Sequence, residues 1–182
     1  INQIQEEFPE QIISVGLSSF NSEVQQHYIS IPSSNAELLS YRNYHPNGST
    51  ALYDAIGLTV QKLENEQHQS KLPATVVVVI LTDGYENSSR NFSLEDIRNT
   101  IQRLEATEKW TFSFIGATLD AAEVAAQMNI KRRNSFNFSK AEMQNEVWVK
   151  VSNSIRAYSD KKRQGRKLDD FFNTANNEDT PN

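Results

Sequence analysis

Ile1, Ile4 and Phe8 recur at helical spacing, which predicts a short amphipathic helix at the start of the chain. No capping residue precedes Ile1, so the pattern points to further sequence upstream. After Pro9 the period changes. Gln11 to Phe20 and Val24 to Ile31 read as strands, and the polar break Asn21-Ser22-Glu23 predicts a hairpin joining antiparallel neighbours. A polar stretch from Pro32 to Ser49 follows, with only a short helical hint at Ala36 to Leu39. Connections of that length commonly carry function. From Thr50, the spacing of Leu52, Ile56, Val60 and Leu63 predicts a helix through about Gln67. Thr75 to Leu81 is β-branched and apolar on both faces, as a central strand of a parallel sheet is. Ser93 and Asp96 resemble a capping box for a helix carrying Leu94, Ile97, Ile101 and Leu104. A strand at Trp110 to Gly116, a helix at Ala121 to Met128, a weak strand at Ser135 to Phe138 and a helix from Ser139 to about Tyr158 complete the series. Trp110 and Trp148 read as core or helix-packing aromatics.

Helices and strands alternating after residue 50 predict an α/β fold: a doubly wound, mostly parallel sheet with one antiparallel edge strand. A ligand site then belongs at the carboxyl ends of the strands, where the topology switches direction. Residues 1–159 form the expected domain. From 160 to 182 the chain turns polar and Asn-rich, which predicts a disordered tail with little part in the fold.

Charge narrows the function classes. Eighteen Lys and Arg against twenty-three Asp and Glu give a net charge of −5, the wrong sign for a nucleic-acid binder. The absence of cysteine removes disulfides, thiol catalysis and thiolate zinc sites. The longest apolar run, Thr75 to Leu81, is far below the ~20 residues that span a bilayer. Lys161-Lys162-Arg163 with Arg166-Lys167 could touch an acidic partner, but such a run in a tail reads first as solubilising charge.

Two segments belong at the ligand edge. One is Asn47-Gly48-Ser49-Thr50, leading into a helix; the other is Thr82-Asp83-Gly84, leaving the Val-rich strand. A hydroxyl and a carboxylate suit a hard divalent cation such as Mg2+. The ordinary alternative is that Thr50 caps its helix and Asp83 makes an Asx-turn. Asp54, one turn beyond Thr50, either orients a metal-bound water or favours the helix dipole. Glu86 and Asn87 read as a rim or as a solvated turn. His45 stands before the Gly-Ser-Thr loop, and His27 and His68 show no suitable partners in the sequence.

The segments VVVVILTDGYEN and GSTALYDAIG, with VGLSSFN before them and FSFIGATLDA after, resemble the von Willebrand factor type A domain. The likeness spans Ile1 to Tyr158 and is nearest to intracellular bacterial and phage members. It implies a metal-ion-dependent adhesion site in which five side chains hold Mg2+ or Mn2+. Three come from Asp-x-Ser-x-Ser after the first strand, and a Thr and an Asp come later. Thr50 and Asp83 match those last two ligands, with Gly48, Ser49, Asp54, Gly84 and Glu86 as second shell or rim. No Asp-x-Ser-x-Ser precedes the first helix, so the chain reads as lacking the family's first strand and loop, and as holding the ion weakly.

The implied function is a cytoplasmic protein-binding module, not an enzyme, whose bound Mg2+ accepts an Asp or Glu from a protein partner. No nucleic acid and no membrane is expected. The alternative is a metal-independent structural or regulatory subunit. A Mg2+-dependent hydrolase or phosphoryl-transfer enzyme ranks behind both, because no Gly-x-Ser-x-Gly and no P-loop lysine is present.

Overall fold

The computed structural model describes residues 2–7, 9–37, 40, 48–70, 74–117, 120–139, 146–166 and 170–172. They belong to two compact units, Ile1–Ala74 with Tyr85–Ile97, and Thr75–Gly84 with Arg98–Asn182. The α/β class is as the alternation predicts, with the strands divided between a two-stranded antiparallel sheet and a three-stranded parallel one.

In the first unit a short helix α1 (Asn2–Glu7) precedes strands β1 (Ser14–Phe20) and β2 (Val24–Pro32), which pair antiparallel. Asn21 closes the hairpin as the polar break predicts: its side-chain oxygen accepts the Glu23 N–H at 2.9 Å. The register slips between Leu17 and Ser18, which leaves His27 as an extra residue on β2. His27 is not without a partner, as its sequence surroundings suggested, because its Nε2 lies 2.7 Å from Ser19 Oγ across the strands. Helix α2 (Leu52–Gln69) packs on this hairpin. Thr59 donates to Ser18 Oγ at 2.9 Å, and Gln26 reaches the Leu58 carbonyl at 3.3 Å. Of the predicted stripe on α2, Leu52, Ile56 and Val60 are buried and Leu63 is half-buried.

Gly57, inside α2, has a packing reason to be glycine. A Cβ there would lie 2.5 Å from Cγ of Phe92, whose ring crosses the helix at that point. Alanine favours a helix over glycine by about 1 kcal/mol, yet overpacking costs roughly 1–3 kcal/mol. Gly57→Ala is therefore expected to lower stability; a raised midpoint in urea would show that Phe92 moves aside freely.

In the second unit β3 (Val76–Thr82), β4 (Trp110–Gly116) and β5 (Ser135–Asn137) run parallel in that order. The apolar run at β3 reads as central, but among the described strands β4 holds that place and is almost wholly buried. Helix α3 (Leu94–Glu105), whose residues are divided between the two units after Ile97, starts on the capping box expected from sequence. Ser93 Oγ and the Asp96 carboxylate bond at 2.6 Å, and each accepts the other's backbone N–H. Its Ile97, Ile101 and Leu104 are buried. Helices α4 (Ala121–Gln127) and α5 (Glu146–Arg163) complete the order, the residues expected to begin α5 lying partly outside the described ones.

Two expectations about the carboxyl end change. α5 runs on to Arg163, so the boundary expected at 159 falls inside a helix. Beyond it, Phe171 and Phe172 are buried, 1% and 6% exposed, among Ile115, Phe138, Val151 and Tyr158. Two adjacent aromatics offer no periodicity to read, yet together they bring enough apolar surface to hold a segment that is otherwise polar. Trp148, in contrast, is half exposed, whereas Trp110 is in the core as expected.

Candidate functional site

α2 begins without a cap of its own. Its N-cap position is Ala51, whose methyl group accepts no hydrogen bond, and among the described residues the Thr50 side chain makes no capping bond either. The first-turn N–H groups of a helix need partners all the same. They find them in residues 86–89: the Glu86 carboxylate accepts the Tyr53 N–H at 2.9 Å, and Ser89 Oγ accepts that of Asp54 at 3.0 Å. An anion at this end also suits the helix dipole. The Ser89 hydroxyl donates a hydrogen bond to Glu86 at 2.7 Å, and the second Glu86 oxygen accepts the N–H groups of Ser88 and Ser89 at 2.8 and 2.7 Å. The remote segment thus caps the helix.

Asp54 completes the attachment from the helix side. The residue is 5% exposed, and its carboxylate accepts the backbone N–H groups of Arg90, Asn91 and Phe92 at 2.8–2.9 Å, together with the Asn91 amide at 3.0 Å. Burial alone would raise its pKa, but these four donors together hold it below the ordinary carboxylate range. Glu86 has the same balance. Burial pushes upward, the bonds from Ser89, Tyr53 and Ser88 outweigh it, and the pKa is lowered. Neither carboxylate is a spare ligand. Asp54 is more than a dipole partner, and Glu86 is more than a rim residue.

Thr50 is fixed through its backbone. It donates N–H to Asn87 Oδ1 at 2.8 Å and accepts the Asn87 N–H at 3.0 Å. Gly48 has a φ of +86°, a conformation that favours glycine, and Gly48 and Ser49 are exposed. His45 lies outside the described residues. Thr50, Asp54, Glu86 and Asn87 are therefore brought together at the start of α2.

Asp83 and Gly84 belong to the other unit, at the carboxyl end of β3. The turn there is set by Thr82, not by an Asx-turn of Asp83. Thr82 Oγ1 donates to the Gly84 carbonyl at 3.0 Å and accepts the Gly84 N–H at 3.2 Å. Asp83 is exposed, and its carboxylate accepts no hydrogen bond among the described residues.

The family model of the von Willebrand factor type A domain matches residues 1–170. The chain belongs to that family. No curated protein matches the chain. Von Willebrand factor type A domains are generally protein-interaction modules, often metal-dependent, and the matched span reaches past Asp160 into the segment expected to be a tail. Among the described residues of this domain no helix is long and apolar enough to cross a membrane. No group of three His, Asp or Glu side chains gathers among them either.

Sequence reasoning missed Ser89, Asn91 and Phe92, which bind the segment to α2. A signal was present. A helix opening on Ala51-Leu52 has no local cap, and the polar run Asn87-Ser88-Ser89-Arg90-Asn91 supplies the missing groups.

Proposed function

We propose that this von Willebrand factor type A domain is a protein-binding module whose binding residues are Thr50 and Asp83, with Mg2+ or Mn2+ as the ion they help to hold. The match to the family over residues 1–170 carries the reading. The donor types fit, since a hydroxyl and a carboxylate are the oxygen ligands that Mg2+ takes. Asp83 supports the reading by being exposed and uncommitted among the described residues. The protein holds both positions firmly: Asn87 clamps the backbone of Thr50, and Thr82 fixes the turn that carries Asp83. Bound there, the ion would supply an open coordination position for an Asp or Glu of a partner protein. Two donors carrying one charge leave most of the shell to water, so the affinity should be about millimolar.

Mn2+ titration followed by electron paramagnetic resonance tests this. Binding in the millimolar range is expected, lost in Asp83→Ala and weakened in Thr50→Val. Affinity in the micromolar range, or affinity unchanged by Asp83→Ala, would overturn the assignment.

One observation favours a second reading, a metal-independent structural or regulatory subunit. The nearby carboxylates, Asp54 and Glu86, are fully engaged by N–H and O–H donors. A hydrolase is disfavoured: the Ser19–His27 pair has no carboxylate among the described residues to orient the imidazole.

A further inference from the structure

The amino-terminal edge of the parallel sheet lies opposite the edge where Asp83 emerges. Several basic segments reach it. Lys109 immediately precedes β4, and exposed Lys131, Arg132 and Arg133 lead through a 3-10 turn into β5. The last turn of α5 carries Lys161, Lys162 and Arg163, followed by exposed Arg166.

Side-chain bonds tie these segments to the start of β4. Asn134, closing the 3-10 turn, donates to the Phe112 carbonyl at 3.2 Å. From α5, Tyr158 Oη lies 3.3 Å from Thr111 Oγ1, and Lys162 Nζ donates to the Glu108 carbonyl at 2.8 Å. Both basic runs are thus anchored beside the first three residues of one strand. The carboxylates of the same region are Glu105, Glu108, Asp160 and Asp170; Asp160 pairs with Arg163 at 2.9 Å, and the Glu105 carboxylate feels the charges of Lys131 and Arg133. Among the described residues cations outnumber carboxylates by two to one here, in a chain whose net charge is −5. Cations at the end of α5 also suit its dipole. That reason does not apply to Lys131-Arg132-Arg133, which are on no α-helix.

We propose that this basic edge is a docking surface for an acidic segment of a partner protein, a short run of Asp or Glu. A protein segment fits better than nucleic acid because the carboxylates are interleaved with the cations, and each run is only three residues long. A continuous phosphate track would meet Asp160 and Asp170 along its path. Discrete carboxylates can pair with each cluster separately. The surface is independent of any metal.

The test is fluorescence anisotropy of a labelled ten-residue polyglutamate peptide titrated with the full chain in EDTA, at low and at physiological salt. Saturable binding that weakens with salt is expected. Lys131→Glu/Arg132→Glu/Arg133→Glu should weaken it about tenfold or more, and Lys161→Glu/Arg166→Glu should do the same should the triple variant fail to fold. Lys62→Glu, on α2, should change it by less than about twofold. Absence of saturable binding, or native affinity in both folded variants, would overturn the proposal. So would tighter binding of a single-stranded oligonucleotide of equal charge.

Discussion

Replacing Asp54 with alanine should cost about 3–5 kcal/mol, a large share of the ~5–15 kcal/mol that stabilises a domain. The carboxylate is buried and accepts three backbone N–H groups and one amide from Arg90, Asn91 and Phe92. Alanine leaves those donors without their acceptor, and each lost hydrogen bond to a charged group costs about 1.5–3 kcal/mol. Asp54→Asn keeps the volume and one acceptor, so its loss should be smaller. The pH dependence has a defined sign. Asp54 and Glu86 both titrate below their ordinary values. Their stabilisation is therefore complete above the unfolded-state pKa and disappears as pH falls through the lower folded-state value. Urea unfolding between neutral and acid pH measures both effects. A loss under 1 kcal/mol for Asp54→Ala, or an unchanged acid limb in Asp54→Asn, would mean that the segment is held elsewhere.

Phe171→Ala should cost about 3–5 kcal/mol, the usual range for a buried phenylalanine. The Phe171 ring meets Phe172 at 4.9 Å and Tyr158 at 6.1 Å, and its N–H donates to the buried Asn134 side chain at 2.9 Å. Phe172 meets Phe136 edge-on at 4.7 Å, with Lys150 Nζ 5.6 Å above its ring. Deleting 160–182 should therefore destabilise the protein severely, the reverse of the small effect its composition predicts. Equal thermal midpoints for the deletion and the full chain would restore the sequence-based domain limit.

These two cases show what the sequence could and could not convey. Periodicity located α2 and the stripe of α3 because burial of one face is written into local spacing. Asn21-Ser22-Glu23 and Ser93 to Asp96 were legible because turns and caps are made by neighbouring residues. The bonds from Asp54 to Arg90, Asn91 and Phe92 join residues more than thirty positions apart. The uncapped start of α2 marks a need for remote partners, but no local pattern says which residues supply them. Thr50 looked like a cap because it sits at the helix start, but Glu86 and Ser89 supply that role from a distance. Phe171-Phe172 failed for the opposite reason, since a short apolar pair inside a polar run has no period at all.

The most direct measurement of the proposed function is calorimetry of the full chain with a glutamate-bearing peptide lacking any acidic run, first in millimolar Mg2+ and then in EDTA. Peptide binding that requires Mg2+ and is lost in Asp83→Ala is the predicted result. Binding of equal strength in EDTA, or binding that survives Asp83→Ala, would contradict a metal-dependent site at Thr50 and Asp83.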